Sequence, residues 1–275
     1  MRASLVQIRA SRGWPKLGLR EVWRFRDLAY FFAWRDIKVR YKQTLFGGAW
    51  AIIQPLVLMV VFTFVFGTVL SVETPPGVPK PLFYYAGLVP WTLFATSLTA
   101  ASDSLSANSS LVQKIYFPRL ILPLSSVGAG LLDFVIALSF LFVMTFIYGT
   151  GISLNVVWLP LLTLLALLTA IAVGLWLSAL NARYRDVRYV IPFLITVLLF
   201  VTPLFTPSSQ VPESIRPFYF LNPMAGVVEG FRWALIDAAP RPGPVTLLSA
   251  AIMLLLLIGG LFYFRSAERS FADVI

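Results

Sequence analysis

Residues 134–182 read FVIALSFLFVMTFIYGTGISLNVVWLPLLTLLALLTAIAVGLWLSALNA, without one charged side chain. A helix rising 1.5 Å per residue needs about 20 apolar residues to cross a hydrocarbon layer. The stretch is long enough for two crossings, and Gly149-Thr150-Gly151 with Asn155 supplies turn chemistry to divide it. Four more uncharged runs cover 43–72, 81–102, 189–212 and 242–264. The expectation is an all-α integral membrane protein with six helices, near 50–70, 82–102, 122–148, 157–180, 189–206 and 244–264.

Composition agrees. The 275 residues are 59% hydrophobic and 12% charged, with mean hydropathy +0.83, whereas a soluble domain carries roughly 25% charged residues. No cysteine or histidine is present, which removes disulfides, thiolate metal sites, Cys nucleophiles and imidazole chemistry. The net charge of +10 could serve nucleic acid or anionic lipid, and its placement decides for lipid. Residues 1–49 hold eleven Lys and Arg, the 103–119 loop two, the 181–188 loop three and the tail after Phe264 two. The opposite side holds only Lys80, Arg216, Arg232 and Arg241. An excess of basic residues marks the cytoplasmic side, so both termini are expected inside. The first 49 residues are too long and too charged for a cleavable signal peptide.

Three segments lie outside the spans. In Glu21–Thr44, EVWRFRDLAYFFAWRDIKVRYKQT, residues Val22, Phe25, Ala29, Phe32 and Ala33 share a helical face, with Lys and Arg interspersed. That is the composition of an amphipathic interface helix. The loop Asn108–Arg119, NSSLVQKIYFPR, opens on a capping residue type and predicts a helix of one or two turns. Its apolar content calls for a lipid surface or a protein partner. Residues 207–243 are punctuated by proline, and Asn222-Pro223 reads as an N-cap with proline at N1, starting a helix over about 224–237. Too short to span, that segment is expected to form a re-entrant or interfacial hairpin.

No catalytic constellation is present. None of the five lysines follows a glycine, so there is no G-x-x-x-x-G-K-[ST] phosphate loop. Asp133 falls inside the third span, where an ionisable group is costly and functional by default. It serves either as a proton site or as a structural partner for a Tyr, Asn or Arg on a neighbouring helix. The second weighs more, because a proton-coupled carrier usually needs more than one such group. Tyr84 and Trp91 share a helical face, as do Phe62 and Phe66; aromatic faces either stack on sugar rings or pack toward lipid.

RDIKVRYKQTLFGGAWAIIQP (35–55), LVQKIYFPRLILP (111–123) with Asp133-Phe134, LNARYRDVRYVIPF (180–193), TPLF (202–205), LNPM (221–224) and the tail FADVI (271–275) occur in an order that resembles the ABC-2 type permeases that export polysaccharide. The resemblance runs from about residue 30 to the C-terminus. It implies a single transmembrane permease domain over 1–275, with a six-span core at 50–264, an N-terminal segment 1–49 and a tail 265–275. It further implies a homodimer bound to two copies of a separate ATPase, which would hold ATP and Mg. The cargo would be a lipid-linked polysaccharide such as O-antigen, capsule or teichoic acid, crossing the bacterial cytoplasmic (inner) membrane. By the resemblance, coupling to the ATPase falls to Arg35, Asp36, Lys38, Arg40, Tyr41 and Gln43, to Gln113, Lys114, Tyr116, Phe117, Pro118 and Arg119, and to Arg183 and Asp186. The substrate path would be lined by Phe62, Phe66, Tyr84, Tyr85, Trp91 and Phe94. An outer gate would lie at Asn222, Pro223, Met224 and Phe231. Three alternatives stand beside it: an ABC-2 permease for a drug or lipid, a membrane-embedded transferase using Glu73, and a carrier coupled to protons through Asp133.

Overall fold

The structure is a computed structural model and describes residues 18–42, 47–151, 153–236, 238–268 and 271. Helix α1 (Leu19–Arg24) and α2 (Arg26–Tyr41) precede α3 (Trp50–Phe62), which continues as a π-helical segment, Thr63–Val69. Then come α4 (Lys80–Ala107), α5 (Ser109–Lys114), α6 (Ile121–Ser126), α7 (Gly128–Ile147), α8 (Leu159–Arg183) and α9 (Val187–Val201). Short α10 (Arg216–Tyr219) leads to α11 (Pro223–Leu235) and α12 (Thr246–Ala267). The described residues contain no strand.

A helix stands at each of the six expected positions. Among the described residues four helical stretches, Gly47–Val69, Ile121–Ile147, Leu154–Arg183 and Thr246–Ala267, are long and apolar enough to cross a membrane. Helix α9 is shorter than expected, ending at Val201 instead of near 206. Thr202 precedes Pro203 and takes extended backbone, φ −90° and ψ 144°, because proline crowds the α region of the residue before it.

Helix α4 is the axis of the bundle, packing against α3, α6, α7, α8, α9 and α11. Every residue from Leu82 to Trp91 is buried. Farther along α4 the buried positions include the small residues Ser97, Ala101, Ser102 and Ser104, which let neighbouring backbones approach. At the α4–α8 crossing a Cβ on Gly174 would stand 2.7 Å from the Ala101 Cβ. Helix α12 closes on α8 the same way, where a Cβ on Gly260 would lie 2.9 Å from the Ala172 carbonyl. The Trp176 indole donates to the Leu256 carbonyl at 3.0 Å and stacks on Tyr263 at 4.7 Å.

Two elements sit differently from a simple membrane-surface reading. The α1–α2 face bearing Val22, Phe25, Ala29 and Phe32 packs on protein, in a small core with Phe117, Leu120 and Phe264, while Tyr30 and Trp34 on the opposite face are exposed. Helix α11 begins as expected: the Asn222 side chain accepts from the Met224 amide at 3.0 Å, and Pro223 follows the cap. It is not a superficial cap, because it is wedged between α4, α8 and α12. Its Phe231 reaches Phe134 of α7 at 5.9 Å, edge to face.

Candidate functional site

The polar and aromatic side chains of interest gather at two ends of the bundle. At the α2 end, Asp133 of α7 meets two residues of α2. Its Oδ2 lies 2.6 Å from an Arg40 guanidinium nitrogen, and its Oδ1 accepts from the Tyr41 hydroxyl. A buried carboxylate needs a cation and donors, and α2 supplies both. Burial, then the hydrogen bond to Asp133 and its charge, push the Tyr41 phenol up to about 12. Asp133 is therefore the clasp between the interface helix and the third predicted span.

The remaining side chains assigned to coupling divide by exposure. Arg35 pairs locally with Asp36 at 2.8 Å, and Lys38 lies over Trp34 at 5.3 Å. Gln43 falls outside the described residues. Gln113, Lys114 and Tyr116 are exposed, Tyr116 by 78%. Phe117, at 5% exposure, and Pro118 are buried, with Phe117 against Phe32 at 5.9 Å. The apolar part of this loop is thus already matched by α2, which leaves Ile115 and Tyr116 facing outward. Arg119 points the other way, its backbone amide donating to Glu268 Oε1 at 3.0 Å and its guanidinium to the Glu268 carbonyl at 2.6 Å. Glu268 in turn pairs with Arg265 at 2.6 Å. Arg183 and Asp186 are exposed at the α8–α9 turn. That turn is anchored to α4 through Asn181, which donates to the Ser102 carbonyl at 3.1 Å and to Asp103 at 3.0 Å. A cavity of about 520 Å³ lies among α2, α4 and α6, with Arg35, Asp36, Arg40 and Asp103 on its walls.

Of the aromatics assigned to a substrate path, Tyr84, Tyr85, Trp91 and Phe94 are buried within this chain, on the stretch of α4 that its neighbours enclose. Phe62 and Phe66 do converge with a third ring, Phe205, at 4.8 and 4.4 Å, and Phe200 stacks on Phe205 at 5.3 Å. This cluster joins the end of α3 and its π-helical continuation to the end of α9. The Lys80 ammonium donates to the Gly67 carbonyl inside the π segment.

Sequence reasoning missed Arg232, counting it only as a cation on the sparsely charged side. It is 4% exposed. Its guanidinium donates to the carbonyls of Phe83 at 3.2 Å, Pro203 at 2.5 Å and Leu204 at 3.1 Å, and stacks 3.6 Å from the Phe83 ring centre. A planar fork with five donors suits such a convergence of carbonyls. Gly87 makes the room, since a Cβ there would lie 2.7 Å from an Arg232 nitrogen. Among the expected gate residues, Asn222 donates to Thr202 at 2.8 Å, and Met224 and Phe231 are buried. The signal was present, for Arg232 stands four residues after Val228 and three before Leu235, on the apolar face of α11.

Comparison with known proteins bears on the whole chain. The sequence profile of the ABC-2 type transporter family matches residues 28–236. The chain is 30% identical over 260 residues to the O-antigen export system permease protein RfbA of Myxococcus xanthus, covering 94% of this chain and 98% of that one. It is 28% identical over 250 residues to RfbA of Klebsiella pneumoniae, at 90% and 95% coverage. Identity to the polysialic acid transport protein KpsM of Escherichia coli is 24% over 241 residues, at 86% and 92%. With a profile match over most of its length and a relative 30% identical over 94% of it, this chain belongs to the ABC-2 type transporter family.

Proposed function

We propose that this chain is the membrane-spanning subunit of an ATP-driven exporter that moves lipid-linked, O-antigen-like polysaccharide across a bacterial cytoplasmic membrane. The observation that carries this reading is likeness over 94% of the chain to an O-antigen export permease. In it, α3, α4, α6–α7, α8, α9 and α12 are six spans, with α10–α11 re-entering from the outer side. The burial of α4 accounts for its lower hydropathy, and its 28 residues reach about 42 Å. The basic excess at the α2 end supports placing both termini in the cytoplasm.

A homodimer of the chain would bind two copies of a separate ATPase, and the ATPase would hold ATP and Mg. Exposed Ile115 and Tyr116, beside the basic face of α2, are the surface that best suits such a partner. Coupling is then mechanical. Closure of the ATPases presses on α2 and the loop after α5, and the Arg40–Asp133 clasp carries the displacement into α7 as a rigid-body step. The test is purification from native membranes in mild detergent, followed by mass spectrometry. A stoichiometric ATPase with a G-x-x-x-x-G-K-[ST] motif is expected; its absence under conditions that keep ABC complexes whole overturns the reading.

A further inference from the structure

On the hairpin side lies a cavity of about 290 Å³ that no part of the transport reading uses. That is near the lower end of small-ligand pockets, about 300 Å³ upward. Three arginines reach it, Arg216 of α10, Arg232 of α11 and Arg241 of the loop before α12, and Phe83 and Phe220 supply aromatic wall. The single carboxylate on its lining, Glu229, accepts from the Ser208 amide at 3.1 Å and offsets one of the three positive charges, that of Arg232.

The cations are incompletely neutralised. Among the described residues no carboxylate stands within salt-bridge distance of Arg232, whose nitrogens go to carbonyls. Arg216 donates one nitrogen to the Val211 carbonyl at 3.2 Å and keeps Glu213 only at 4.0 Å, with that carboxylate almost fully in solvent. Its Nε is buried and has no hydrogen-bond partner. A guanidinium surplus in a half-enclosed, low-dielectric recess selects an anion. Residues 75, 207–209, 239–241 and 243–245 form much of the remaining wall. Most of these lie in turns beyond the helix ends.

We propose that this recess is a binding site for an acidic sugar residue, engaging its carboxylate or phosphate through Arg216 and Arg241. The inference rests on the polysaccharide-export reading and adds to it a preference for acidic glycan at the exit side. Arg232 is held by the fold and supplies fixed positive potential; Arg216 and Arg241 are the adjustable contacts.

The test uses the full chain, with any ATPase that accompanies it, in nanodiscs of phosphatidylcholine. Binding of hyaluronan tetrasaccharide, which carries carboxylates, is compared with neutral chitotetraose by saturation-transfer NMR. The acidic probe is expected to bind, with affinity falling at least about tenfold in the Arg216→Gln/Arg241→Gln double variant. Should the double variant fail to assemble, Arg241→Gln alone, altered on an exposed loop, is expected to lose about threefold. No binding of the acidic probe, equal binding of the neutral one, or unchanged affinity in the variants each overturns the proposal. Those failures leave the co-purifying ATPase in place, so they are distinct from failure of the export reading.

Discussion

Replacing Arg232 with alanine tests whether the hairpin is held by a single guanidinium. The carbonyls of Pro203 and Leu204 would lose their Arg232 donors in a buried place, at about 1–3 kcal/mol each. The Phe83 carbonyl lies inside α4 and keeps its ladder partner, so its loss counts for less. The stacking on Phe83 adds roughly 1 kcal/mol. Water entering the vacated space recovers part of this, leaving about 4 kcal/mol. At roughly 2–4 °C per kcal/mol for a chain of this size, the melting midpoint should fall by about 10 °C. The assay is size-exclusion of the fluorescently tagged protein after heating through a temperature series. Arg232→Lys should fall about halfway, because one ammonium cannot fork to carbonyls on two segments. A midpoint for Arg232→Ala within about 2 °C of wild type would refute the reasoning.

Tyr116→Ala should leave the melting midpoint unchanged while lowering ATPase co-purification, whereas Phe117→Ala should cost about 3 kcal/mol of stability, since only Phe117 is buried; equal effects of the two on stability would contradict the assignment. For the clasp, a double-mutant cycle on Arg40→Ala and Asp133→Asn should return a coupling of about 1 kcal/mol, reduced by the partial exposure of Arg40, and additive single effects would exclude it. The Tyr41 phenol is raised in the fold from 10.0 to about 12, so its neutral form contributes stability below pH 10 that is lost as pH climbs from 10 to about 12. Tyr41→Phe should lack that alkaline step in a pH series of melting midpoints, and a step of the same size in both proteins would rule Tyr41 out as its source.

The helices were legible because each uncharged run of about 20 residues has few alternatives in a chain this apolar. The early end of α9 was also legible, through Thr202-Pro203, but the apolar run beyond it drew the boundary too far. Asp133 could be recognised as needing a partner, while the identity of Arg40 and Tyr41, more than 90 residues away, depends on how α2 folds back onto α7. The shared face of Tyr84 and Trp91 could not be assigned a direction from periodicity, because periodicity ranks the sides of a helix and α4 is buried on every side from Leu82 to Trp91. For Phe117, composition indicated a covered side chain, yet only packing distinguishes Phe32 of the same chain from a foreign partner.

The π segment has a bearing on how the chain can vary. Within Thr63–Val69 the Leu70 amide reaches back five residues to the Val65 carbonyl at 2.9 Å, so the turn contains one residue more than an α-helical turn would. A one-residue deletion there can be absorbed by relaxing to ordinary α-helix, leaving Lys80 and α4 in register. The same deletion in the middle of α8 would swing every later side chain by about 100° and drive Trp176 away from α12. Length changes in this fold are therefore far better accommodated in the π-helical end of the first membrane helix than anywhere along the α4–α8–α12 stack.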